Sequence, residues 1–207
     1  MKKLILVISI VLLSVKISAQ ENFRFGIKGG VNFSSLNNIN YNGYKKIKTG
    51  INFGLLAEIS LNDKFSIQPE ILYSTQGVKT DLNLNAIAYP GPGPIYQPYT
   101  EKGKYIFNYI QIPILAKVYL IKKLSFEIGP SFNFLTKSEQ KSKSQTYRNI
   151  GKDFEFSGTL GFSYEISKKL FVSYRFLKGF SNAFHYDPPN FENAKNYGYQ
   201  LGFGLLL

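Results

Sequence analysis

Apolar and polar residues alternate along most of this chain. Phe23, Phe25, Ile27, Val31 and Phe33 interleave with Arg24, Gly26, Lys28, Gly30 and Asn32. The same period of two runs through 51–61, 65–74, 110–120, 126–135, 154–166, 170–176 and 197–207. A two-residue period is the signature of a strand, and no long stretch repeats apolar residues at the three-and-four spacing of an amphipathic helix. The pattern predicts eight strands of about ten residues, the length a tilted strand needs to cross a bilayer. One face of each strand carries the large apolar residues and almost no charge. The other is small, polar or charged. A soluble sandwich would bury the apolar face, whereas a membrane barrel turns it to lipid.

The connections favour the barrel. Asn62-Asp63-Lys64, Ile121-Lys122-Lys123 and Ser167-Lys168-Lys169 read as tight turns, each three residues long. The intervening stretches near 34–49, 77–104, 136–152 and 179–195 read as long polar loops, the second holding Pro90-Gly91-Pro92-Gly93-Pro94, which cannot pair inside a sheet. Short turns alternating with long loops fit an outer-membrane barrel with its turns in the periplasm. Three-residue turns would set Leu61 opposite Phe65, Leu120 opposite Leu124 and Ile166 opposite Leu170. Lys117 then falls opposite Glu127, and Arg175 opposite Gly161, where the glycine leaves room for a long side chain. The expected fold is all-β, an eight-stranded antiparallel up-and-down transmembrane β-barrel.

The first residues have a different pattern. Met1-Lys2-Lys3 is cationic, Leu4 to Val15 is apolar apart from Ser9 and Ser14, and Ala19 is a small residue before Gln20. That is the layout of a secretory signal peptide, with an apolar run too short for a membrane anchor. Residues 1–19 are expected to be a cleaved leader and 20–207 the barrel domain. With no Cys, the chain has neither a disulfide framework nor a lipoprotein anchor. The same absence and a single His argue against a thiol site, a His-rich metal site or a Ser-His-Asp triad, and no cofactor is expected. The 25 Lys and Arg against 13 Asp and Glu give +12, which falls to +9 once Lys2, Lys3 and Lys16 leave with the leader. Such a balance raises nucleic acid as a partner, but an exported chain rarely meets it, and none is expected.

The inward parity collects most of the remaining chemistry. Arg24, Lys28, Lys117 and Arg175 share it with Glu58, Glu70, Glu127, Glu155 and Glu165. An eight-stranded barrel is just wide enough for side chains to fill, so these nine charges are expected to form a paired network. A proton or ion path is the sharper alternative. The excess positive charge is left for the ends. Lys45, Lys46, Lys48, Lys137, Lys141, Lys143, Arg148 and Lys152 lie in the expected loops, placed to meet phosphate-rich lipopolysaccharide. Tyr105, Tyr109, Tyr164, Tyr197 and Tyr199 suit interfacial girdles. His185, with Asp187 and Ser181 near it, is the one opening for an enzyme, and as a loop residue it reads as solvated. Gly26-Ile27-Lys28-Gly29-Gly30 is followed by no helix that could cradle a phosphate.

The segments GIKGGVNFSSL after the leader, IQPEILYSTQG at 67–77, YIQIPILAKVYL at 109–120 and LFVSYRFLKGFSNA at 170–183 resemble the outer-membrane β-barrel domain family. Its members include the porin-like or PorT-like proteins of Bacteroidetes-type Gram-negative bacteria. The resemblance runs over essentially the whole chain after the leader. It implies an eight-stranded barrel of the OmpX/OmpA transmembrane type, with no periplasmic domain expected after Leu207. The expected role is a monomeric, non-enzymatic outer-membrane barrel with a side-chain-filled lumen, structural or surface-interacting through long extracellular loops. Lipopolysaccharide and, during biogenesis, the barrel-assembly machinery are its expected partners. A small porin, a secretion component and a lipid-modifying barrel enzyme are the alternatives.

Overall fold

The computed structural model describes residues 23–38, 43–88, 95–143, 145–186 and 191–207; the leader and the Pro-Gly run lie outside them. Among the described residues nine strands follow in order: β1 (Phe23–Leu36), β2 (Gly43–Asn62), β3 (Phe65–Ala88), β4 (Ile95–Ile121), β5 (Leu124–Lys141), β6 (Thr146–Arg148), β7 (Phe154–Glu165), β8 (Leu170–Gly179) and β9 (Asn196–Leu206). All pairings are antiparallel. Eight strands close a ring in which β9 returns to β1, and β6 is a short addition to the upper part of β5.

Closure is staggered. Phe23 pairs with Ile59, and successive partners run through Ile67, Ala116, Ile128, Leu160, Phe176 and Tyr199 back to Phe33, ten residues further along β1. With about 3.3 Å per residue and about 4.8 Å between strands, that stagger tilts the strands by about 40° and gives about 2.5 Å of axial rise per residue. On β4 the outward residues from Leu120 to Ile110 therefore cover about 25 Å, the height of a barrel's apolar band.

Burial alternates with the pleat. Phe25, Ile51, Phe53, Leu55, Ile71, Leu160, Phe162, Leu201 and Phe203 stand exposed on the outside, while Lys28, Asn52, Glu58, Gln68, Glu70 and Gln200 are buried inside. The arrangement inverts that of a soluble protein, because the solvent for the outer face is hydrocarbon and every backbone group must be paired within the closed ring.

Two expectations about connections are corrected. The first two turns hold two residues each, Asp63-Lys64 and Lys122-Lys123, so Asn62 pairs with Phe65 and Ile121 with Leu124. A bulge follows at once in each hairpin and restores the inner register. Lys117 stands opposite Glu127, and Arg175 opposite Gly161. The stretch 77–104 is mostly strand, since β3 and β4 stay paired up to Ala88 and Ile95. Its residues keep a weak alternation, Val78 and Thr80 against Lys79 and Asp81, which a hairpin above the membrane satisfies without a large apolar face.

Candidate functional site

The lumen is filled at three levels. In the half nearest the short turns, eight charged side chains form one chain of alternating sign. Glu165 meets Arg24 at 3.1 Å, and Arg24 meets Glu58 at 2.6 Å. Lys117 lies 2.8 Å from Glu58 and 4.0 Å from Glu127. The Arg175 Nε donates to Glu127 at 2.6 Å while its two terminal nitrogens donate to both oxygens of Glu70 at 2.8 Å. Lys28 ends the series 3.7 Å from Glu70.

These residues come from seven strands and meet because each occupies the inward parity of a tilted wall. Arg24 and Glu165 sit at the mouth, with side chains 31% and 17% exposed. They line a solvent-open cavity of about 620 Å³ with Ser60, Asn62, Ser66 and Tyr119. The other six are buried.

Glycines make room for the long cations. A Cβ on Gly161 would lie 2.7 Å from Arg175 Cγ, and one on Gly202 would lie 2.5 Å from Lys28 Cε. Neutral neighbours complete the shell. Tyr119 donates its hydroxyl to Glu58 at 2.8 Å and to Glu165 at 3.3 Å, Gln68 accepts from Lys117 at 3.1 Å, and Gln68 also donates to Glu70. Phe171, packed with Leu56 and Leu206, presents its ring to Lys117. Parity alone could have found Tyr119, two residues from Lys117 on the same face.

Above the charges lies a neutral polar layer. Asn32 donates to Ser74 at 3.0 Å and accepts from Asn52 at 2.8 Å and Gln200 at 3.0 Å. Glu155, the last of the nine charges expected inside, stands apart from the ladder. Its carboxylate accepts from Asn133 at 3.1 Å, from Tyr109 at 3.4 Å and from Asn196.

The end away from the short turns is closed by an apolar cap. Leu36, Val78, Tyr105, Phe107, Tyr109, Ala183, Phe184, Phe191 and Ala194 form one buried cluster. Phe184 lies edge-on to Tyr105, Phe107 and Phe191 at centroid distances of 5.7, 5.4 and 5.2 Å. The segment after β8 is pinned over the opening by backbone bonds. Lys152 N donates to Ala183 O, Ala183 N to Ala194 O, and His185 N to Ile150 O. The described parts of the stretch 179–195, residues 179–186 and 191–195, are thus corrected from a polar loop to the main part of the lid. Tyr105 and Tyr109 are corrected from girdle to interior, because they share the inward parity of β4 with Gln111 and Lys117. Tyr164 and Tyr199 do face outward, and Tyr197 receives Lys45 and Lys178 over its ring. The cap has no local sequence signal, since its rings come from segments far apart in the chain.

The basic residues expected in loops divide. Lys45 and Lys46 lie on β2, Lys137 and Lys141 on β5 and Arg148 on β6 rather than in loops, and Lys48, also on β2, is buried at 2% exposure. Lys46 is paired with Asp81. Lys137, Lys141 and Arg148 surround Glu139 at 3.0, 3.1 and 3.6 Å, and the hydrogen bonds from the two lysines hold its carboxyl below the ordinary carboxylate range. Lys143 is exposed and Lys152 half-buried beside the lid. His185 Nε2 stands 3.7 Å from Asp153, while Ser181 accepts from the backbone of Phe156; Asp187 lies outside the described residues. Among the described residues no three His, Cys, Asp or Glu side chains are placed to hold a metal.

The chain is similar to solved outer-membrane structures at low identity. Neisserial surface protein A shares 10% identity at a TM-score of 0.50, over 88% of this chain and 96% of that one. Ail, the attachment invasion locus protein of Yersinia pestis, shares 13% at 0.47, over 90% and 99%. OprG from Pseudomonas aeruginosa shares 13% at 0.44, over 90% and 96%. No curated protein sequence matches the chain. The family model described as an outer membrane protein beta-barrel domain matches residues 18–185. With most of its length covered by that match, and with a closed antiparallel ring and an apolar outer band, this outer-membrane protein belongs to the outer membrane protein beta-barrel domain family.

Proposed function

We propose that this barrel is a closed membrane anchor that works at the cell surface through its extracellular extension, and that it does not conduct. One observation carries the reading: the lumen is occupied across its width by the ladder from Glu165 to Lys28. A solute would have to displace ion pairs whose separated charges cost several kcal/mol each to leave buried. The cap closes the same path a second time, on the other side of the polar layer. Meanwhile β3 and β4 continue as a paired hairpin well above the apolar band, so the fold invests ordered backbone where surface partners are met.

Planar-bilayer recording of the folded protein tests this. No stable conductance step should appear at neutral pH. A large, long-lived open state would overturn the closed reading and favour a solute or ion pathway.

A further inference from the structure

The extracellular extension carries a run of like charge that the barrel itself does not need. Lys46 lies opposite Lys79, Lys79 opposite Lys104, and Lys104 opposite Lys141. Four lysines therefore stand in register on β2, β3, β4 and β5. Cross-strand partners share a face. On β3 and β4 the residues of opposite parity, Val78, Thr80 and Tyr105, are buried, so the lysines occupy the outer side.

The two ends of the row are neutralised, Lys46 by Asp81 and Lys141 by Glu139. The middle is not. Among the described residues no carboxylate lies within ion-pair distance of Lys79 or Lys104, nor of Lys48. Like charges directly opposite each other on strands about 4.8 Å apart destabilise the pairing. The row also has a defined height. Lys104 lies six residues beyond Ile110, about 15 Å along the axis above the apolar band. A side chain facing sideways at that height meets neighbours in the plane of the membrane rather than a partner arriving from above.

We propose that the Lys46–Lys79–Lys104–Lys141 row binds the phosphate groups of lipopolysaccharide packed around the barrel in the outer leaflet. A phosphorylated sugar lying along the row would neutralise the two central lysines and turn a repulsive contact between strands into a bridged one. The assignment rests on the reading of this extension as the extracellular, interacting part of the protein.

The test is a titration of the folded protein in detergent micelles. The probes are purified lipopolysaccharide, the same lipopolysaccharide after phosphatase treatment, inorganic phosphate and heparin. Wild type should bind intact lipopolysaccharide at least tenfold more tightly than the dephosphorylated form. K79Q/K104Q should lose at least tenfold, K79R/K104R should keep the affinity, and K122Q/K123Q at the opposite end should match wild type. Heat-dependent gel migration reports whether each variant is a closed barrel; if K79Q/K104Q is not, the phosphatase and arginine arms still decide.

Equal binding of the dephosphorylated lipid, or unchanged binding by a folded K79Q/K104Q, overturns the assignment. So does binding of inorganic phosphate at comparable affinity. Binding of heparin without lipopolysaccharide would give the row to an external polyanion and overturn it as well. A conducting barrel, by contrast, would sink the closed-barrel reading and leave this titration interpretable.

Discussion

Arg175 shows how much of this lumen depends on a single side chain. Its guanidinium is shared between Glu70 and Glu127, both buried. Replacing it with Met leaves two carboxylates without their main partner, which costs about 3–5 kcal/mol by the usual measure of a broken buried pair. R175M should therefore unfold at markedly lower urea in detergent, followed by gel migration because the chain has no Trp. An unchanged midpoint would mean that the ladder is not a stabilising unit. Gly161→Ala should act on the same group from outside it, since its methyl would lie 2.7 Å from Arg175 Cγ and 2.4 Å from the Tyr174 carbonyl. A cost of about 1–3 kcal/mol is expected for such overpacking. At this scale parity was a good guide, because a pleated wall leaves each residue only two directions. It could not say which inward charges would touch, since those partners depend on strand tilt. The girdle reading of Tyr105 and Tyr109 followed their place near a strand end and set aside their inward parity, which under the lid across the barrel mouth makes them core.

The hairpins divide by what their turns contain. Asn62 Oδ1 accepts from Lys64 N at 2.9 Å and Phe65 N at 3.0 Å, replacing backbone bonds that a two-residue turn leaves open. Asn62→Ala should weaken the β2–β3 turn by about 1 kcal/mol, seen as faster amide exchange at Lys64 and Phe65 with the barrel intact. The β5–β6 hairpin depends on charge instead. Glu139 is held below its ordinary range by Lys137 and Lys141. Its contribution is therefore present at neutral pH and is lost as pH falls through its depressed titration. Amide protection at Tyr147 and Arg148 should follow that course, while E139Q should show the low-pH behaviour throughout. The sequence shows strand positions well where one face meets lipid. It shows them poorly above the membrane, where 77–88 and 95–104 pair with little apolar contrast, and where a bulge after each two-residue turn mimics the register of a three-residue one.

For the molecule as a whole, the proposed closed barrel has its lumen blocked independently by ladder and cap. F184A removes the ring at the centre of three aromatic contacts and should cost about 3–5 kcal/mol. It should not create a conducting pore, because the ladder below is untouched. Bilayer recordings of F184A showing stable channels would mean that the cap alone seals the barrel. The ladder has a consequence for the order of events in biogenesis. Its eight charges are drawn from β1, β2, β3, β4, β5, β7 and β8, and no strand carries both members of a contacting pair. A strand entering the bilayer alone would take its charge into hydrocarbon without a counter-ion. Most of the satisfying contacts exist only once the curved sheet is complete, so insertion and closure have to be a single late event, with the charged face kept wet until then.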